Sequence, residues 1–95
     1  MNEEIHIASL IVHTRPGRAD AVRARLLEEP GIEVPAADGH GKLVVTVEAA
    51  GIAEMSRRME WINQIEGLLS STLVYHHSET AEALEEVIHD EDHAP

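Results

Sequence analysis

"DGHGKLVVTVE", residues 38–48, opens with two glycines around a histidine and continues as an unbroken apolar–polar alternation. Leu43, Val45 and Val47 fall on one side and Lys42, Val44, Thr46 and Glu48 on the other, the period of two that belongs to a strand. Asp38-Gly39 and Gly41 are turn residues, which makes this strand the second arm of a hairpin. The first arm is "IEVPAAD" (32–38). Its Pro35 has no amide to donate and is therefore expected at a sheet edge.

Helical patterns flank the hairpin on both sides. Upstream, "RADAVRARLLEE" (18–29) sets Ala19, Val22 and Leu26 on one stripe, with Arg18, Asp20, Arg23 and Arg25 off it, between Pro16 and a stop at Pro30-Gly31. Downstream, "IAEMSRRMEWINQIE" (52–66) places Ile52, Met55, Met59, Ile62 and Ile65 at helical spacing before Gly67. Met55 and Met59 read as core fillers and Arg57-Arg58 as a solvated helix face, whereas Trp61 lies off the stripe as either a staple or a contact. Farther out lie two apolar strands, "IHIASLIVH" (5–13) and "LLSSTLVYHH" (68–77). The order β-α-β-β-α-β predicts a ferredoxin-like α+β domain over residues 1–77: a four-stranded antiparallel sheet with both helices on one face.

That architecture leaves the second face of the sheet without a helix. The expected members of the open face are Val44, Thr46, Thr72 and Val74, joined from the first strand by Ile11 or Leu10. Ser9 and His13 favour the odd-numbered set facing outward. An apolar patch of several hundred Å² marks a binding surface.

Charge narrows the choice of partner. The formal net charge is −11, and residues 78–95 hold seven carboxylates with no Lys or Arg. Phosphate neutralisation needs the opposite sign, so neither nucleic acid nor an anionic membrane is expected as a partner. A cationic partner is favoured. In the acidic tail, 78–95, "ETAEALEEVIH" sets Ala81, Leu84 and Ile88 on one stripe, a short amphipathic helix that either crosses the open face or stays mobile. With no cysteine there is neither disulfide nor thiolate chemistry, and no apolar run approaches a membrane span. The acidic start "MNEEIH" is unlike a signal peptide, so the expected location is cytoplasmic.

Neither metal nor catalytic chemistry is expected. His76 and His77 are adjacent and point to opposite faces of a strand, as do His6 and His13; His89 and His93 have helical spacing but lie among acidic residues in the tail. Ser70, Ser71, His76 and Asp38 lack the sequence context of a nucleophile, and "GHGK" (39–42) opens a strand rather than a phosphate-cradling helix. No cofactor is implied.

Four segments, "ASLIV" (8–12), "PGIEV" (30–34), "GKLVVTVEA" (41–49) and "IEGLLSSTLVYHH" (65–77), occur in an order and at separations similar to those of the NapD family. Its members are small cytoplasmic chaperones of periplasmic nitrate reductase. The resemblance implies a ferredoxin-like protein that binds the twin-arginine signal peptide of the nitrate reductase catalytic subunit and prevents export before the molybdenum cofactor is inserted. The family's closing Leu-Val-Tyr-His is matched by Leu73, Val74, Tyr75 and His76, and its apolar first strand by Ser9 to Val12.

The expected peptide-binding set is thus Ser9, Ile11, Val44, Thr46, Glu48, Thr72, Val74, Tyr75 and His76, with Glu48 steering arginines and Tyr75 and His76 as edge contacts. The expected state is a monomer or weak homo-oligomer. Two other uses of such a fold are a small-molecule regulatory module and an oligomerisation domain whose open faces pair. Of the glycines the former would favour after the first strand, only Gly17 is present.

Overall fold

A computed structural model describes residues 4–80, and the expected tail helix lies outside the described residues. The chain forms β1 (Glu4–Thr14), α1 (Ala19–Leu26), β2 (Ile32–Ala37), β3 (Lys42–Ala50), α2 (Ile52–Asn63) and β4 (Leu68–Thr80). The four strands make one antiparallel sheet in the order β2-β3-β1-β4, the ferredoxin-like arrangement expected from the element order. β4 continues past His77, where the sequence pattern stops, because its backbone still finds partners in the first residues of β1.

Alternation decides which side is core. Ala8, Leu10 and Val12 of β1 and Leu43, Val45, Val47 and Ala49 of β3 are buried under the helices, where they meet Val22 and Leu26 of α1 and Met55 and Ile62 of α2. The odd-numbered residues of β1 therefore face outward, as Ser9 and His13 suggest. Among the described residues no helix is long and apolar enough to cross a membrane.

The α2 stripe is narrower than its spacing suggests. Met55, Ile62 and Ile65 are buried and Met59 packs against the core from its margin, but Ile52, in the first turn of α2, is 57 % exposed. Nor do Arg57 and Arg58 form one solvated face. Arg58 folds inward, donates to the Glu48 carbonyl and pairs with Glu54 at 2.6 Å and Glu29 at 3.8 Å, whereas Arg57 stays exposed. Trp61 is a staple: it packs on the core margin with the Arg25 guanidinium 5.1 Å over its ring, joining α2 to α1.

Local chemistry fixes the turns. Asp38 accepts from the amides of His40 at 2.7 Å and Lys42 at 3.0 Å, and these donors hold its carboxyl below the usual carboxylate range. β2 runs along the sheet edge, and its ladder to β3 is irregular between Glu33 and Ala36, where Pro35 interrupts donation.

Candidate functional site

Directly paired residues in an antiparallel ladder share a face, so the register lists the open side row by row. The central rows are Ala36–Val44–Ile11–Thr72 and Glu33–Thr46–Ser9–Tyr75. Below them come Glu48–Ile7–His77 and the Ala50–Ile5 pair, and above them Lys42–His13–Ser70. Ile5, Ile7, Ser9, Ile11, Val44 and Thr46 are half-buried on this side, which neither helix covers. The result is an aliphatic and hydroxyl-bearing floor that a partner with a similar surface can dehydrate.

Of the nine residues expected at the site, the fold brings seven together on this floor: Ser9, Ile11, Val44, Thr46, Glu48, Thr72 and Tyr75. Val74 and His76 fall elsewhere, and one irregularity accounts for both. Ser9 pairs with Tyr75 while Leu10 pairs with Leu73, leaving Val74 as the extra residue of a β-bulge, 62 % exposed on the edge strand. The bulge reverses the alternation beyond it. Tyr75 and His77 thereby face the open side, their rings stacked at 6.0 Å, and His76 turns to the helix side.

On that side His76 meets a histidine that sequence reasoning passed over. His6 is only 5 % exposed, so both of its ring nitrogens need partners. Its Nε2 lies 2.6 Å from Glu4 Oε1 and, because a carboxylate only accepts, donates to it. Its Nδ1 lies 2.8 Å from His76 Nε2, within hydrogen-bond distance. This chain of two imidazoles and a carboxylate ties the end of β4 to the start of β1 and holds Tyr75 and His77, on either side of His76, against the floor.

The expected binding set also leaves out Ile7, although it belongs to the odd-numbered set favoured outward, together with Ile5, which extends the floor, and Glu33, which flanks it from β2. A signal existed for the isoleucines: once the odd set of β1 faces outward, both must follow Ser9 and Ile11. Glu33 gives no such signal, because Pro35 breaks the alternation that would assign its face.

The charges around the floor are divided. Glu28, Glu29 and Glu54 are held by Arg25 and Arg58, whereas Glu33 and Glu48, both exposed, have no salt bridge among the described residues. Lys42 and His13 occupy the opposite end. A concavity of 640 Å³ lies between the start of α1 and the β2–β3 hairpin. Its Thr14 hydroxyl is committed to the Gly41 carbonyl at 3.1 Å.

Comparison with known proteins shows the family and the fold. Residues 5–80 match the family model described as NapD protein. The chain is 32 % identical over 80 residues to Chaperone NapD of Escherichia coli K12, covering 83 % of this chain and 92 % of the relative. To Chaperone NapD of Paracoccus pantotrophus it is 37 % identical over 71 residues, covering 75 % of this chain and 62 % of the relative. Among solved structures it resembles the solution structure of the E. coli Tat proofreading chaperone protein NapD, with a TM-score of 0.71 and 33 % identity over 79 % of this chain and 80 % of that one.

Proposed function

The chain belongs to the NapD family, whose named relatives are chaperones rather than enzymes, and we propose that it binds the twin-arginine signal peptide of the catalytic subunit of periplasmic nitrate reductase on the open face of its sheet. Occupying the signal keeps it from the export machinery until the cofactor is in place, which requires action in the cytoplasm. The observation that carries this reading is that, among the described residues, no helix lies over the floor of Ile7, Ile11, Val44 and Thr46 and neither Glu33 nor Glu48 beside it makes a salt bridge. A twin-arginine signal presents the complement: two adjacent cations joined to an apolar segment.

The apolar segment seats as a helix on the floor, completing a sandwich of helices about the sheet. Burial of roughly 400 Å² of chaperone surface gives about 10 kcal/mol before costs, at about 25 cal/mol per Å². Ordering the peptide and fixing its position consume several of those kcal/mol, so affinity falls between micromolar and nanomolar. Ser9, Ile11, Val44, Thr46, Thr72 and Tyr75 form the contact set, with Glu48 for the arginines. Val74 contributes from the strand edge, and His76 acts through the position it gives its neighbours.

The test is calorimetric titration of a synthetic signal peptide into V44D. Val44 is half-buried in the centre of the floor and outside the core, so its substitution by Asp leaves the circular dichroism spectrum unchanged while lowering affinity at least about 100-fold through a buried unpaired carboxylate. Unchanged affinity in folded V44D, or in a second variant T46R, sinks this placement.

A further inference from the structure

Resting on that reading of the open face, we infer that the bound signal helix has one polarity: it runs parallel to β1, its paired arginines over Glu33 and Glu48 and its C-terminal end over His13 and Lys42. The two ends of the floor are chemically opposite. Glu48 lies in the row of Ile7, and Glu33 in the adjacent row of Ser9 on the outer strand, so the two carboxylates are diagonal neighbours across β2 and β3. Such neighbours stand about 7–8 Å apart, near enough for the long side chains of consecutive arginines to engage both. Neither makes a salt bridge among the described residues: Arg25 and Arg58 pair with Glu28, Glu29 and Glu54, and Arg58 reaches Glu48 only at its backbone carbonyl.

At the other end Lys42 pairs across the ladder with His13, and Arg15 follows directly on β1. The nearby carboxylates there do not cancel this charge on the floor. Asp38 is turned to the amides of its own hairpin, and Glu66 lies in the connection between α2 and β4, off the ladder. Arginines placed at this end would meet like charge and leave Glu33 and Glu48 unmatched.

A helical ligand adds an independent preference. Its N-terminus carries partial positive charge and its C-terminus partial negative charge, so the same polarity matches both the side chains and the helix dipole to the floor. The lengths are compatible as well. From the Glu48 row to the Lys42 row is about 20 Å at about 3.4 Å per strand residue, a distance a helix covers in about 14 residues at 1.5 Å each. Between them lie Ile7, Ser9, Ile11, Val44, Thr46 and Thr72, without a charged group in the β1 and β3 rows that an apolar helix would cross.

Two synthetic peptides, each with adjacent arginines preceding an apolar segment, decide the matter when one carries a nitroxide at its N-terminus and the other at its C-terminus. Bound to isotope-labelled full-length protein, the N-terminal label is expected to broaden the amides of Ile7, Val47 and Glu48, and the C-terminal label those of Val12, His13, Lys42 and Leu43. The reverse pattern overturns the polarity and leaves the proposed function standing, and equal broadening of both ends by both labels overturns a single polarity. Absence of a complex, or broadening confined to the helix side, overturns the proposed function as well.

A second arm uses E33K/E48K. Its affinity for the arginine peptide is expected to drop about tenfold, while a peptide with glutamines in place of the arginines binds variant and parent alike. Equal weakening for both peptides would mean a damaged floor and would overturn the assignment of these carboxylates.

Discussion

Gly31 holds the seam where β2 joins β3. Its φ is +86°, and a Cβ there would stand 2.5 Å from the Glu48 carbonyl oxygen and 2.6 Å from the Arg58 guanidinium. The same carbonyl accepts from Arg58, and the Glu48 amide donates to the Gly31 carbonyl at 2.8 Å, so backbone and side chain converge on the residue that presents a carboxylate to the floor. Gly31→Ala adds the cost of a left-handed backbone to a collision with peptide atoms that cannot move aside, and is expected to lower stability by about 2–4 kcal/mol in denaturant unfolding. Removing Arg58 should not rescue it, because the nearest atom is backbone. A fully stable Gly31→Ala protein, or rescue by R58A, would show the seam to be softer than this contact implies.

Among the elements, β4 combines a strand with two irregularities. Leu69 and Val74 are each an extra residue against β1, and both are exposed, at 57 % and 62 %. Bulges on an exposed edge blunt it against pairing with other chains, and the second one also sets the site. Since Leu73 and Tyr75 already face consecutive residues of β1, deleting Val74 closes the bulge without moving any pair: Tyr75 stays on the floor opposite Ser9, and His76 stays against His6. The deletion variant is therefore expected to fold at a cost of about 1 kcal/mol and to keep the nuclear Overhauser contacts of Ser9 with Tyr75 and of Ala8 with His76. Loss of those contacts would mean that β4 slips instead. This bulge also marks the limit of what the sequence reveals. Element order and the positions of Val44, Thr46 and Glu48 follow from spacing, because two-residue and helical periods report on burial, whereas the face of Ser9 and Ile11 rests on the polarity of Ser9 and His13, since both parities of β1 are nearly equally apolar. "LVYHH" carries no mark of an inserted residue, so strict parity groups Thr72, Val74 and His76, whereas pairing with β1 groups Thr72, Tyr75 and His77. His6 is hidden for a related reason: a histidine at a core position looks like a break in the apolar pattern until Glu4 and His76 are seen to satisfy it. In α2, Ile52 keeps helical spacing with the buried residues but stands exposed at the first turn, where periodicity cannot show how far the core extends.

For the whole molecule, charge acts at longer range than the floor does. A net charge of −11 attracts a dicationic peptide before contact, and six of the 18 carboxylates lie beyond Thr80. Steering of this kind changes the encounter rate and is screened within about 8 Å at physiological ionic strength, whereas in the proposed complex dehydration of the floor would govern how long the peptide stays. The two contributions can be separated in one stopped-flow experiment comparing the full chain with a chain ending at Thr80. At low salt the shorter chain should associate several-fold more slowly with a twin-arginine peptide and release it at the same rate, and the difference in association should vanish near 0.5 M salt, where the screening length is only a few Å. Faster release from the shorter chain at every salt concentration would instead mean that residues beyond Thr80 touch the peptide. Equal association at low salt would mean that Glu33, Glu48 and the rest of the domain supply all the attraction that the peptide meets.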